Sequence, residues 1–264
     1  MSSVTPEDQC MDELTKISVI MRNHGGIDFS CYKENTLIRR IERRVKINRL
    51  ANFTEYVNLL KTADKEREIL QREFLIGVTG FFRDREAFES IRTNVLPKLD
   101  YAKKTIRVWT AGCSTGEEVY SIAILVREYL EVNKIDCDVK LFATDIDTTA
   151  IEIAGEGFYP DNLVADVDAS LLYKYFVKKE GGYKVADSVR KLVVFAKHNI
   201  LKDPPFSKLD MIVCRNLFIY LKSENQLSIL TGFYYSLSPN GFLFLGSSES
   251  LGDISKGFKI VDAK

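Results

Sequence analysis

The stretch Ile106 to Tyr120, IRVWTAGCSTGEEVY, constrains the fold more than any other part of this chain. A β-type apolar run ends in a turn bearing Gly112 and Gly116, and Glu117 and Glu118 open a helical pattern. Strand, tight turn and helix N-terminus in that order make the small-molecule cradle of α/β folds. The rest of the second half repeats the theme. Apolar runs at Ile106–Ala111, Val139–Thr144, Leu192–Ala196, Met211–Cys214 and Phe242–Leu245 alternate with helical patterns at Glu117–Glu131, Thr148–Gly155 and Glu224–Leu237. That alternation predicts a mostly parallel α/β sheet. Residues 172–191, LYKYFVKKEGGYKVADSVRK, interrupt it and read as a small hairpin turning at Gly181-Gly182.

The first hundred residues have helical periodicity instead. Leu14, Ile17, Ile20 and Met21 share one face before Gly25-Gly26 stops the pattern. Leu37, Ile38, Ile41 and Val45 share a second face, Phe53, Val57 and Leu60 a third, and Phe88, Ile91 and Val95 a fourth. No strand is expected before residue 105. The expected organisation is a helical domain over 1–92, a linker over 93–104 and an α/β domain over 105–264, with the insert at about 172–191.

Composition narrows the function classes. The 264 residues are 45% hydrophobic, enough for a substantial core. Lys+Arg and Asp+Glu both number 37, so no bulk field favours nucleic acid or an anionic membrane. Five cysteines, at 10, 31, 113, 137 and 214, are widely spaced and form no C-x-x-C. No disulfide framework or zinc site is expected, and a reducing cytoplasm fits. The N-terminus lacks the basic start and apolar core of a signal peptide, and no apolar run reaches the length of a membrane span. A soluble, cytoplasmic protein without membrane insertion is expected.

Gly112-Cys113-Ser114-Thr115-Gly116 fits the G-x-S-x-G pattern of serine hydrolases, and Ser114, Asp145 and His198 follow in triad order. Against that reading, Ser114 follows the first strand rather than several, no HGGG-like segment exists, and the chain has only two histidines. The cofactor reading explains more. The glycines allow a tight turn and close ligand approach. Asp145 stands at the end of the next β run, where α/β folds place an acid for ribose hydroxyls. G-x-G-x-x-G and G-x-x-x-x-G-K-[ST] are both absent, so NAD is weakly supported and a P-loop is not. Simpler roles stand beside these. Thr115 and Glu118 fit a capping box, and Asp145 or Asp147 fits an N-cap. Lys197-His198-Asn199-Ile200, Cys214-Arg215-Asn216 with Tyr220, and Val78-Thr79-Gly80-Phe81-Phe82-Arg83 fall at the same expected edge. Asp203-Pro204-Pro205-Phe206 precedes a strand and reads as a rigid turn. Finally, Lys33–Leu50 carries seven basic residues against Glu34 and Glu42. Its bases, Arg39, Arg40, Arg43, Arg44, Lys46 and Arg49 among them, lie opposite the apolar face, as on a docking surface for an acidic partner.

With VTGFFRD, AGCSTGEEVYSIA, FATDID, HNIL and CRNLFIYL in that order, residues 12–262 resemble the chemotaxis-receptor protein-glutamate O-methyltransferases, the CheR family. The resemblance implies an N-terminal all-helical domain and a class I S-adenosylmethionine-dependent, Rossmann-like methyltransferase domain with a small inserted antiparallel β-subdomain. It implies S-adenosyl-L-methionine contacts at Thr79, Arg83, Gly112, Glu117, Asp145, Asn199, Ile200, Arg215 and Asn216, and no metal. It implies that Arg83 and Tyr220 orient a substrate carboxylate, and that the basic helix meets the cytoplasmic helices of chemoreceptors rather than nucleic acid. Gly77 departs from the Asn that many relatives carry there, the one hint toward the alternative of a catalytically silent cofactor- or receptor-binding module; a methyltransferase of another substrate is the other alternative. The DPPF loop and the CRNLFIYL wording are most similar to members fused to other signalling modules, and the ending at FKIVDAK reads as that of an excerpt. A monomer, or a part of a larger multidomain chain, is expected.

Overall fold

The computed structural model describes residues 6–262, with the side chains of 6–10 and 253 left out. The Cys10 side chain and the last two residues of FKIVDAK therefore lie outside what is described. The chain forms two compact units, one reaching Ile76 and including Tyr220–Asn225, the other comprising Gly77–Ile219 and Gln226 onward.

The first unit contains α1 (Pro6–Gly25), α2 (Glu34–Ile47), α3 (Phe53–Thr62) and α4 (Asp64–Phe74). Each buries the stripe that its periodicity supplies. Ile17 and Met21 of α1, Leu37, Ile41 and Val45 of α2, Val57 and Leu60 of α3, and Leu70 and Phe74 of α4 are all buried. The α3 start is set locally: Asn52 Oδ1 accepts from Glu55 N at 3.0 Å, while Glu55 Oε2 accepts from Ala51 N at 2.8 Å. This reciprocal capping satisfies donors that a helix start leaves open.

The second unit begins with α5 (Arg85–Ser90), continued by a π-helical turn over Ile91–Val95. Then come β1 (Thr105–Ala111), α6 (Glu117–Val132), β2 (Asp138–Asp145) and α7 (Thr148–Glu156). Next are β3 (Phe158–Pro160), α8 (Ala169–Tyr175), β4 (Phe176–Lys179), β5 (Gly182–Val185) and α9 (Asp187–Arg190). The last are β6 (Val193–Lys197), β7 (Leu209–Cys214), α10 (Ser223–Ser236, whose first turn groups with the first unit) and β8 (Leu237–Leu245). The main sheet has the order β6-β2-β1-β7-β8, with every pairing parallel. All six residues of β7 are buried, as expected of a central parallel strand. The order reverses direction between β1 and β7, the point at which parallel α/β sheets open a crevice at the carboxyl ends of their strands.

Two expectations shift. The chain divides at Ile76/Gly77 rather than at 92, because Phe81, Phe88, Ile91 and Leu96 join the core beneath the sheet. The insert is a three-stranded sheet, order β3-β5-β4, rather than a hairpin alone. Phe158–Pro160 pairs with β5 from outside the 172–191 window. Three residues carry too little alternation to read as a strand.

Candidate active site

The loop after β1 is pinned to its neighbour: Gly112 N and Cys113 N both donate to the Thr144 carbonyl, at 2.8 and 2.9 Å. Gly112 and Gly116 have φ of +74° and +95°, and Ser114 joins them at +48°. A Cβ on Gly116 would lie 2.8 Å from Ala154 Cβ and 3.0 Å from the Tyr159 hydroxyl, so both conformation and space demand glycine. Tyr159 itself, buried on β3, donates to the Thr115 carbonyl at 2.6 Å. The small sheet thus braces the loop. No residue pattern around Tyr159 announces this role.

Two carboxylates flank the loop. Asp145 Oδ2 accepts from Ser114 N at 2.8 Å, and Oδ1 accepts from Asp147 N at 3.0 Å. Each oxygen keeps a further lone pair for a ligand hydroxyl. Burial pushes the Asp145 carboxyl above its ordinary range, against the pull of the Asp147 and Ser114 amides. Glu117, 2% exposed, accepts from the Thr115 hydroxyl at 2.7 Å. Its carboxyl is also raised by burial, with Thr115 opposing. The Thr115–Glu118 capping box does not form. Gly116 occupies the N-cap, and Glu118 turns to accept from Arg215 Nη1 at 2.8 Å. Asp147 is the N-cap of α7, through bonds from Thr149 N and Ala150 N.

Beyond β7, Arg215 is almost fully buried at its side chain. Besides Glu118 it donates to the Arg83 carbonyl at 3.2 Å and to Asp84, and lies 4.8 Å over the Phe244 ring. Its guanidinium therefore holds the 83–84 segment in place, and among the described residues none accepts from its Nε. Asp84 and Phe82 have positive φ, 62° and 49°. Phe82 N donates to Ser121 Oγ at 2.9 Å, and Ser121 Oγ donates to the Glu117 carbonyl at 2.7 Å. The segment carrying half-buried Thr79 and exposed Arg83 is thereby tied to α6. Arg83 Nη1 donates to the Val78 carbonyl at 2.9 Å. Phe81 is core, edge-on to Tyr159 and Phe176.

After β6, His198 N donates to the Asp145 carbonyl at 2.9 Å, and Asn199 Oδ1 accepts from Leu201 N at 3.0 Å in a turn that also holds half-buried Ile200. The His198 ring meets the Pro204 carbonyl at 3.2 Å and the edge of Trp109. With Asp145 held by backbone amides and His198 turned to Pro204, the hydrolase triad does not assemble. The Asp203–Phe206 loop is anchored by Phe206, 5.1 Å from Trp109 and 4.9 Å from Phe142, ring to ring. Among the described residues, no cluster of three or more His, Cys, Asp or Glu is placed to hold a metal.

Thr79, Arg83, Gly112, Glu117, Asp145, Asn199, Ile200, Arg215 and Asn216 all belong to the second unit, whereas Tyr220 belongs to the first. There the Tyr220 carbonyl accepts from Lys33 N at 2.8 Å. The basic face of α2 needs one correction. Arg39, Arg43, Lys46 and Arg49 are exposed and Arg40 half-buried, but Arg44 is buried, with Nε and Nη2 on Glu66 at 2.8 and 2.6 Å. It is a structural ion pair, not part of a docking surface.

Two family models match the chain: "CheR methyltransferase, all-alpha domain" over residues 12–75 and "CheR methyltransferase, SAM binding domain" over residues 77–264. Their boundary coincides with that between the compact units. The "Chemotaxis protein methyltransferase" of Borreliella burgdorferi is 33% identical over 91% of this chain and 88% of its own length. "Chemotaxis protein methyltransferase 2" of Vibrio cholerae is 32% identical over 89% and 84%, respectively. An "Uncharacterized 104.1 kDa protein in hypE 3'region" of Rhodobacter capsulatus is 38% identical over 96% of this chain, which spans only 27% of that larger protein. An all-α unit, a parallel-sheet unit with its loops gathered at the strand-order reversal, and these relatives together establish that the chain belongs to the CheR methyltransferase family.

Proposed function

We propose that this chain methylates glutamate side chains of chemotaxis receptors, using S-adenosylmethionine and producing glutamyl methyl esters. The observation that carries the reading is the pairing of a glycine loop with two carboxylates, buried Glu117 and half-buried Asp145, where the strand order reverses between β1 and β7. The donor set suits an adenosyl cofactor. Asp145 has lone pairs for ribose hydroxyls, Gly112 permits close backbone approach, and Glu117 offers a carboxylate to a cationic ligand. Thr79, Arg83, Asn199, Ile200, Arg215 and Asn216 complete the cradle. Bound there, the cofactor supplies an electrophilic methyl group.

The acceptor carboxylate is already ionised at neutral pH, so the chain needs no general base. Its task is alignment, a contribution of several kcal/mol when two reactants are held in attacking geometry. Arg83 steers the carboxylate. An arginine that fully neutralised the acceptor would blunt its nucleophilicity, so Arg83 orients without clamping. Each turnover removes one negative charge from the receptor.

The test combines calorimetric titration with S-adenosylmethionine and transfer of a labelled methyl group to a purified receptor cytoplasmic fragment. Binding at a single site and base-labile labelling of glutamate are expected. Arg83→Ala should lower turnover by about tenfold or more while changing cofactor affinity less. Absence of cofactor binding sinks the reading. Cofactor binding with no receptor labelling points to another substrate.

A further inference from the structure

Glu249 lies outside every motif, in the turn after β8, yet three backbone amides converge on its carboxylate. Oε2 accepts from Gly246 N at 2.7 Å and from Asn216 N at 2.9 Å, and Oε1 accepts from Phe218 N at 2.7 Å. Glu249 N in turn donates to the Gly246 carbonyl at 3.0 Å. The arrangement has no slack, since a Cβ on Gly246 would lie 2.8 Å from Glu249 Oε2 and 3.2 Å from Asn216 N. Asn216, itself one of the three donors, has a φ of +59°, which a non-glycine residue adopts at a cost. It follows Arg215, whose guanidinium holds Arg83 and Asp84. One carboxylate thus ties the exits of β7 and β8 together and stabilises the backbone on one side of the crevice.

We infer that Glu249 is a positioning residue for the adenosyl cofactor, acting through the backbone of Asn216 and Phe218. The inference rests on the proposed cofactor reading. Without the carboxylate, three amide donors lose their common acceptor and the strained Asn216 conformation loses its restraint. Shape is lost, so the methyl donor and its demethylated product should suffer alike. A charge acting directly on the sulfonium would instead weaken the donor alone, because the product is neutral at sulfur.

The experiment compares the unaltered chain with Glu249→Ala and Glu249→Gln, titrating S-adenosylmethionine and S-adenosylhomocysteine by calorimetry and following thermal unfolding. Glu249→Ala is expected to weaken both ligands by about tenfold or more, with their affinity ratio unchanged. Glu249→Gln should fall between, because its one carbonyl oxygen serves only part of the amide set. In the transfer assay KM for the donor should rise while kcat at saturation stays close to that of the unaltered chain. If Glu249→Ala does not fold, Glu249→Gln decides. Unchanged affinities in folded variants, even with a lowered Tm, overturn the inference and leave the cofactor reading standing. Loss confined to the donor also overturns it. Failure of the unaltered chain to bind either ligand removes the cofactor reading and this inference together.

Discussion

In the proposed cofactor site Glu117 is buried and Asp145 half-buried. Burial raises both carboxyls, and the hydrogen bonds from Thr115 to the one, and from Asp147 and Ser114 to the other, only partly offset it. A carboxyl with a raised pKa takes up its proton early as pH falls, and a protonated carboxyl is a poorer acceptor for hydroxyl and ammonium groups. Affinity for S-adenosylmethionine should therefore decline on acidification before ordinary carboxylates titrate. Calorimetry from neutral pH down into the ordinary carboxylate range checks this, and an affinity that stays flat until ordinary carboxylates titrate would contradict it. Asp145 and Glu117 were legible in the sequence because their positions after a strand and at a helix start are local facts. Glu249 and Tyr159 were not. Their partners, Asn216 and Thr115, lie 33 and 44 residues away, and nothing in the local pattern points to them.

At the scale of elements, the first unit is locked by one buried ion pair across three helices. Arg44 of α2 bonds Glu66 of α4, which also accepts from Tyr56 of α3 at 2.7 Å and from Asn48 at 3.1 Å. Arg44→Ala would leave Glu66 buried without its cation, a loss of roughly 3–5 kcal/mol. Chemical denaturation is expected to show it in the helical signal. The pH dependence has a definite sign. Burial by itself would raise the Glu66 carboxyl, but the bonds from Arg44, then Tyr56, outweigh it, so its folded-state pKa lies below the ordinary carboxylate value. That depression stabilises the fold fully above the unfolded pKa and is lost as pH falls through the folded one. Acid should therefore destabilise the unaltered chain more steeply than Arg44→Ala, a difference read from Tm against pH. The α2 apolar stripe was predictable from its spacing. That one of its arginines turns inward was not, because the acid it meets lies 22 residues on, in another helix.

For the whole molecule, the exposed bases of α2 and of the turn after it give a neutral chain a basic face. Arg39, Arg43, Lys46 and Arg49 project from it, while Arg44 is withdrawn. We propose this face as the receptor-docking surface. Charge reversal at Arg39, Arg43 and Lys46 together should weaken binding of a receptor cytoplasmic fragment, measured by calorimetry, by about tenfold or more at low salt, and added salt should shrink the difference. Affinity for S-adenosylmethionine should stay the same. No helix among the described residues is long and apolar enough to cross a membrane.

The sequence by itself determined the order of helical and α/β parts, the parallel sheet, the glycine loop after its first strand and the placing of Asp145 at the end of the next. These follow from side-chain period, glycine conformation and chain order, which act over a few residues and are written locally. Only the tertiary structure decided that Phe158–Pro160 completes the small sheet, that Phe88 and Ile91 belong to the second core, that Arg44 is internal, that Arg215 grips the 83–84 segment and that Glu249 gathers three amides. Each of these depends on which distant group fills the space beside a side chain. A charge or a short apolar run carries the same local signature whether it ends up in water or against a partner.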